Sequence, residues 1–271
     1  GGGDTCAERI TYTQMLSDTG HMRADITVTR VDANHYVVVA TDTMQREVAT
    51  LLRRAADAGE HRSSVHIRDV TGSMAMLSLQ GPRSRHVLMN VVASGYGFED
   101  AAAAASGGGD AADAVQRISE LPFRGVLDHV AIGMATARVA RITYVGELGY
   151  EIYVDTEYAA HVYETIMRHD VAPVGLKALA SLRLEKGYKD YGHDMDNTDT
   201  LLECGLGFTI GSKPLHSFVG GEAVRAQRAA AAERAQRLAP DGSKSLVLAG
   251  LRRRMINVVL DNTDGRLPSN V

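Results

Sequence analysis

Cysteine is scarce in this chain: Cys6 and Cys204 stand far apart in 271 positions. That pattern excludes a disulfide framework and contains no metal-ligand spacing, so no metal site is expected and a reducing compartment fits. An excess of positive charge is also missing. Lysine plus arginine number 29 against 33 acidic residues, a formal net charge of −4, whereas a nucleic-acid binder needs a basic face. No apolar run approaches the length needed to cross a bilayer, so no membrane partner is expected. Neither G-x-G-x-x-G after a strand nor G-x-x-x-x-G-K-S/T occurs, which leaves no dinucleotide or phosphate-loop fingerprint. The chain opens Gly1-Gly2-Gly3-Asp4, without Met and without a signal or transit pattern, and is expected to be trimmed or a piece of a longer polypeptide.

What is present reads as an ordinary globular protein. Hydrophobic residues make up 45% and charged residues 23%, and the length allows one large domain or two small ones. Ile26 to Val31 and Tyr36 to Ala40 read as strands joined by the turn residues 32–35. Met44, Val48, Leu51, Leu52 and Ala55 then fall on one helical face, with Asp42 or Thr43 able to cap it. Val65 to Val70 and Met74 to Leu79 read as two further strands. Gly81-Pro82 opens a predicted helix through Val92, with proline where its missing N–H costs little. The Ala/Gly-rich stretch 101–114 reads as a flexible surface insertion without function. Helices are predicted over Glu157 to His169, with Ala159, Val162, Tyr163, Ile166 and Met167 inward, over Leu176 to Glu185, and over Ala223 to Leu238. Asp241-Gly242-Ser243 reads as a turn, and Leu246 to Leu260 as strand-like pieces interrupted by three arginines. Strand pairs alternating with helices predict an α+β fold.

The most telling stretch is Arg141 to Val154. β-favouring residues flank a centre holding Gly146 and Gly149, predicting a strand through Tyr144, a tight connection and a strand over Tyr150 to Val154. Carboxylates and tyrosines are thereby fixed beside a turn, where flanking strands can present a carboxylate to a ligand.

Four segments in order carry a resemblance. They are Tyr12-Thr13-Gln14-Met15-Leu16 with residues 24–30; Leu77-Ser78-Leu79-Gln80-Gly81-Pro82; Tyr144 through Glu151; and Ser181 through Tyr188 with residues 201–207. Together they resemble the folate-binding aminomethyltransferase family, the T-protein of the glycine cleavage system and its relatives. The Gly-Glu-Leu-Gly-Tyr-Glu and Leu-Glu-Lys-Gly-Tyr wording is most similar to the carboxy-terminal folate module of sarcosine and dimethylglycine dehydrogenases.

The resemblance implies a T-protein-like fold of antiparallel sheets with packed helices. It implies a folate-binding domain at 10–221 that lacks the family's N-terminal part and carries the insertion at 101–114, and a remnant of the C-terminal barrel at 222–271. It implies tetrahydrofolate as cofactor and a small-molecule partner, an N-methyl amine-derived one-carbon unit. Glu151 would accept the neighbouring N–H donors of the pterin edge, as one carboxylate can accept two bonds in parallel. Tyr144 would line the same pocket, and Asp25 would match the catalytic aspartate, orienting the reacting nitrogens and managing a proton. Glu147 is expected to be a solvated turn residue, Arg183 mainly structural, and His193 a hydrogen-bonded loop histidine.

The T-protein has an arginine where this chain has Leu179, which favours the dehydrogenase-like branch. The iron–sulfur assembly relative's Lys-Gly-Cys-Tyr signature is absent at Lys186-Gly187-Tyr188. In that setting a separate upstream flavin domain, with FAD, oxidises the amine, and the one-carbon unit yields 5,10-methylenetetrahydrofolate. Localisation would be the mitochondrial matrix in a eukaryote and the cytoplasm otherwise. The alternatives are a stand-alone aminomethyltransferase and a non-catalytic regulatory or binding protein on the same fold.

Overall fold

A computed structural model describes residues 10–59, 64–210, 214–238 and 251–258; the chain divides into two units, 1–15 with 23–196 and 16–22 with 197–271. β1 (Ile10–Leu16), β2 (Met22–Arg30) and β3 (Tyr36–Ala40), which but for Leu16 and Met22 belong to the first unit, form a sheet in that order. β2 and β3 are antiparallel, Ile26 opposite Ala40 and Arg30 opposite Tyr36. Asp32 closes their turn as the sequence predicts: its Oδ1 accepts from the backbone N–H of Asn34 at 2.7 Å and of His35 at 2.9 Å. Strand alternation sends Ala24 and Ile26 to one face, where they pack with Val48 of α1 (Gln45–Ala58). Arg23, Asp25 and Thr27 point the other way.

A second sheet holds β4 (Met74–Gln80), β5 (Val126–Ile132), β6 (Ala135–Ala140) and β7 (Gly149–Asp155) in the order β4-β7-β6-β5, all antiparallel. One face is covered by α2 (Ser84–Gly95), α4 (Gly109–Glu120) and α5 (Ala159–Met167). Tyr150, Ile152 and Val154 of β7 join Val87, Leu88 and Val91 of α2 in this core. Each fully buried aliphatic side chain there contributes about 1.5–3 kcal/mol. The spacing of Val87, Leu88, Val91 and Val92 on α2 is one helical face. The alternation of β7 leaves Glu151 and Tyr153 on the opposite side of the sheet.

Several sequence expectations are corrected. Residues 65–70 form no strand and are almost all exposed; among the described residues no strand pairs with them, so neither the ladder nor burial is gained. The stretch 101–114 is helical, comprising α3 (Ala101–Gly107) and the first half of α4. Asp100 caps α3 by accepting from Ala103 N–H at 2.8 Å, alanine is the best helix former, and Gly108 separates the helices at φ +70°. Ala101, Ala104, Ala111 and Val115 bury themselves against Ala93, so this segment has a core of its own.

The strand expected through Tyr144 stops at Ala140, and residues 141–148 form an irregular connection. There Thr143 Oγ1 accepts from Val145 N–H at 3.2 Å and Gly146 N–H at 3.1 Å, which turns the chain, and Gly146 sits at φ +79°. The helix after Gly81-Pro82 begins only at Ser84. Tyr163 is exposed on α5, where Val162, Thr165 and Ile166 are the buried residues.

In the second unit, α7 (Gly221–Leu238) buries Val224, Ala231 and Ala235 along one face. Thr200 and Glu203 cap each other, the Thr200 hydroxyl donating to Glu203 Oε2 at 2.9 Å. Arg253 holds Glu203 at 3.3 Å and Asp199 at 3.2 Å. Residues 251–258 contain no strand; Cys6, the turn at 241–243 and the rest of the pieces expected up to Leu260 lie outside the described residues.

Candidate functional site

Asp25 lies inside β2, three residues beyond its start, rather than where the strand begins. Its Oδ2 accepts the Tyr12 hydroxyl from β1 at 3.2 Å. Its Oδ1 is buried and receives no hydrogen bond from another residue. Burial raises its pKa most; the Tyr12 hydroxyl and its own backbone amide oppose this, and the nearby Asp190 carboxylate adds to it. The net direction is upward, so the acid keeps its proton to higher pH than an exposed aspartate. Tyr12 is held neutral far above the usual phenol range, first by burial and then by Asp25.

Tyr144 reaches the same neighbourhood from the connection 141–148. Its hydroxyl donates to the Lys189 carbonyl at 3.0 Å, and its ring stacks on Tyr188 with centroids 6.4 Å apart and planes at 20°. Burial raises its pKa, followed by Asp190; Asp25 also acts on it. Tyr191, pushed up to about 12 by burial and then by Asp196, feels Asp25 as well. Asp25, Tyr12, Tyr144, Asp190 and Tyr191 are thus electrostatic neighbours.

The loop 187–195 that carries two of these groups follows α6 (Leu176–Lys186). Gly187 ends that helix in the left-handed region at φ +77°, letting Tyr188 N–H return to the Arg183 carbonyl at 2.9 Å. Buried Arg183 donates to Asp194 and to the Tyr188 carbonyl at 3.2 Å. Asp194 in turn accepts the Asp190 N–H at 3.0 Å. Arg183 thus ties the end of α6 to the loop that follows it. His193 is largely exposed, its Nδ1 3.3 Å from Asp190, and Glu147 is exposed in its turn.

Glu151 occupies a separate position, on β7 between Ser78 of β4 and Ala140 of β6. It accepts the Tyr153 hydroxyl, and Arg138 next to Tyr153 is engaged by Asp128 at 2.5 and 2.8 Å. Burial raises the Glu151 pKa against the opposing Tyr153 bond. Gly149, at the start of β7, lets the end of the Gln80 side chain lie where a Cβ would otherwise stand.

Asp25 and Tyr144 are therefore within electrostatic reach of each other but share no hydrogen bond, and no hydrogen bond or ring contact links Glu151 to either. Sequence reasoning gave no role to Tyr12, Tyr153, Tyr188 or Asp190. Tyr153 was recoverable from strand alternation, two residues from Glu151 and on its face; nothing local marked Asp190. A shallow cleft of about 240 Å³ opens elsewhere, beside α4 and β5, lined by Asp110, Asp113, Arg117 and His129 among others. Neither Asp25, Tyr144 nor Glu151 lines it. Among the described residues, no group of three or more His, Cys, Asp or Glu is arranged to hold a metal ion, and no helix is long and apolar enough to cross a membrane.

Antiparallel sheets with packed helices, and two carboxylates each bound to a tyrosine, mark this as an α+β protein. The profile of the GCVT N-terminal domain matches residues 4–213, and the chain belongs to that family. It is 31% identical over 222 residues to an aminomethyltransferase of Methylococcus capsulatus, covering 81% of this chain and 52% of that protein. It is 28% identical over 268 residues to the mitochondrial sarcosine dehydrogenase of Homo sapiens, covering 93% of this chain and 25% of the relative. The formaldehyde-forming 4-methylaminobutanoate oxidase of Paenarthrobacter nicotinovorans is 29% identical, covering 82% and 24%. The chain thus spans about a quarter of the oxidising relatives' length and about half of the aminomethyltransferase's. The crystal structure of glycine cleavage system aminomethyltransferase T from Bartonella henselae matches the fold with a TM-score of 0.62 at 22% identity, covering 81% of this chain and 52% of that one.

Proposed function

We propose that this chain is a tetrahydrofolate-binding one-carbon transfer module, acting within a sarcosine or dimethylglycine dehydrogenase-like protein. The observation that carries the reading is the pair of partly buried carboxylates with spare accepting capacity. Glu151 has Tyr153 as its hydrogen-bond donor, and Asp25 Oδ1 has no donor from another residue. A reduced pterin presents adjacent N–H donors that need buried acceptors, so the side chains present fit the group.

Tetrahydrofolate, when bound, supplies the nitrogens that take up a one-carbon unit. Glu151 accepts from the pterin edge, and Tyr153 keeps its carboxylate oriented. Tyr144 offers an aromatic wall, itself held by Tyr188 and the Lys189 carbonyl. Asp25 holds or takes a proton at Oδ1 while Tyr12 fixes Oδ2, and its upward-shifted pKa favours the proton-holding form over that of an exposed aspartate.

The kinship with N-methyl amine oxidising proteins supports a parent protein in which a separate flavin domain, with FAD, performs the oxidation. In a eukaryote its place would be the mitochondrial matrix, in line with the human relative's name. The 31% identity to an aminomethyltransferase supports a second reading, stand-alone aminomethyl transfer.

Calorimetric titration with tetrahydrofolate tests the assignment. Glu151→Ala is expected to lose most binding, because the unpaired pterin donors cost roughly 1–3 kcal/mol or more. Asp25→Asn is expected to retain binding. Unchanged affinity in Glu151→Ala would remove the pterin assignment.

A further inference from the structure

We infer that Arg183 is a positioning residue for Tyr144, acting through the loop 187–195; its effect on ligand rests on the folate reading above. Arg183 is the buried residue of α6, at 6% exposure, while Leu176 and Leu184 of the same helix are 83% and 50% exposed. Helices ordinarily bury an apolar stripe and leave arginine in solvent. Here the inward position belongs to a guanidinium, and its bonds go to the loop that follows.

Nη1 donates to the Tyr188 carbonyl at 3.2 Å and to Asp194, and Nη2 lies 3.5 Å from Asp194 Oδ1 and 3.8 Å from Asp190 Oδ2. Asp194 closes the turn by accepting Asp190 N–H. That one side chain therefore fixes residues 188, 190 and 194 together. Between them stand the two groups that hold Tyr144: the Tyr188 ring, stacked on it, and the Lys189 carbonyl, which accepts its hydroxyl. Tyr144 itself comes from an irregular connection, so no strand ladder sets its position. A planar fork is needed to serve Asp194, Asp190 and a carbonyl at once, which a lysine ammonium cannot reproduce.

The test uses the full chain with its ten tyrosines isotopically labelled, and the variants Arg183→Lys and Asp194→Asn. Both keep a polar group at the buried position, so that at least one is expected to fold. The Tyr144 and Tyr188 ring signals should move in each folded variant, while the Tyr153 signal, on β7, stays in place. Tetrahydrofolate affinity should fall about tenfold in Arg183→Lys, and the same substitution should add nothing in a Tyr144→Leu background, as expected when one residue acts through another. Unmoved Tyr144 signals in a folded variant, or an equal loss of affinity in both backgrounds, would overturn the inference. Wild-type protein that ignores tetrahydrofolate would count against the folate reading instead, and the ring signals would still decide the role of Arg183.

Discussion

Asp25 and Glu151 sit on different sheets of one unit and share a device. Each is a partly buried carboxylate that accepts a tyrosine hydroxyl, Tyr12 from the neighbouring strand for Asp25 and Tyr153 two residues along the same strand for Glu151. They differ in what else acts on them. Glu151 feels burial and its tyrosine. Asp25 also faces a second carboxylate, Asp190, and keeps an oxygen that no other residue donates to. A lone carboxylate held by one donor suits steady acceptance of N–H groups. A carboxylate pressed by a like charge suits proton exchange, because small changes around it move its protonation.

The largest expected difference is in turnover. Asp25→Asn should slow one-carbon transfer by about 10²–10⁴-fold, the range of a lost acid–base group, with little change in tetrahydrofolate affinity. Glu151→Ala should show the reverse weighting, a large loss of affinity. Equal losses of rate and affinity in both variants would erase the division of labour.

Next is the pH dependence of stability. Both carboxyls have raised pKa values in the folded chain. Below the unfolded-state value, about 4, both states are protonated and burial is not penalised. As pH rises the unfolded chain ionises first, so ligand-free stability falls until the folded groups ionise too, and then levels off. Each tenfold shift in acidity is worth about 1.4 kcal/mol. Urea melts across this window should show the slope in wild type and a flatter line in Asp25→Asn and Glu151→Gln. A slope unchanged by both substitutions would show that neither group is the source.

A smaller effect is expected from the tyrosines. Tyr153→Phe and Tyr12→Phe should each cost about 0.5–1.5 kcal/mol, the net worth of one hydrogen bond, read from the same melts. Removing the Tyr12 hydroxyl should matter more for turnover, and removing that of Tyr153 more for affinity. The smallest effect separates the two sites most cleanly. Asp190→Asn should lower the Asp25 pKa and leave Glu151 where it is, as followed by carboxyl NMR titration. Movement of both would mean that the carboxylates are coupled.

Much of this was legible before any coordinates. β-favouring runs marked β2, β3, β4 and β7, helical spacing marked α1 and α5, Gly81-Pro82 marked the start of α2, composition marked α7, and the family resemblance pointed to Asp25, Tyr144 and Glu151. The failures have physical causes. The stretch 65–70 has strand composition, but strands need partners, and none among the described residues pairs with it. The alanine-rich stretch read as a loop because its composition is simple, yet alanine favours helix and Asp100 supplies a cap. The connection 141–148 ends its strand early through the Thr143 side chain, which competes with the ladder for backbone donors. Asp190 was invisible because its relation to Asp25 arises from the fold bringing a loop back to β2.

The most direct test is the structure of the chain in complex with tetrahydrofolate. The account predicts pterin N–H groups at hydrogen-bond distance from the Glu151 carboxylate, with Tyr144 against the bound molecule. A pterin bound elsewhere, with Glu151 still engaged only by Tyr153, would contradict it.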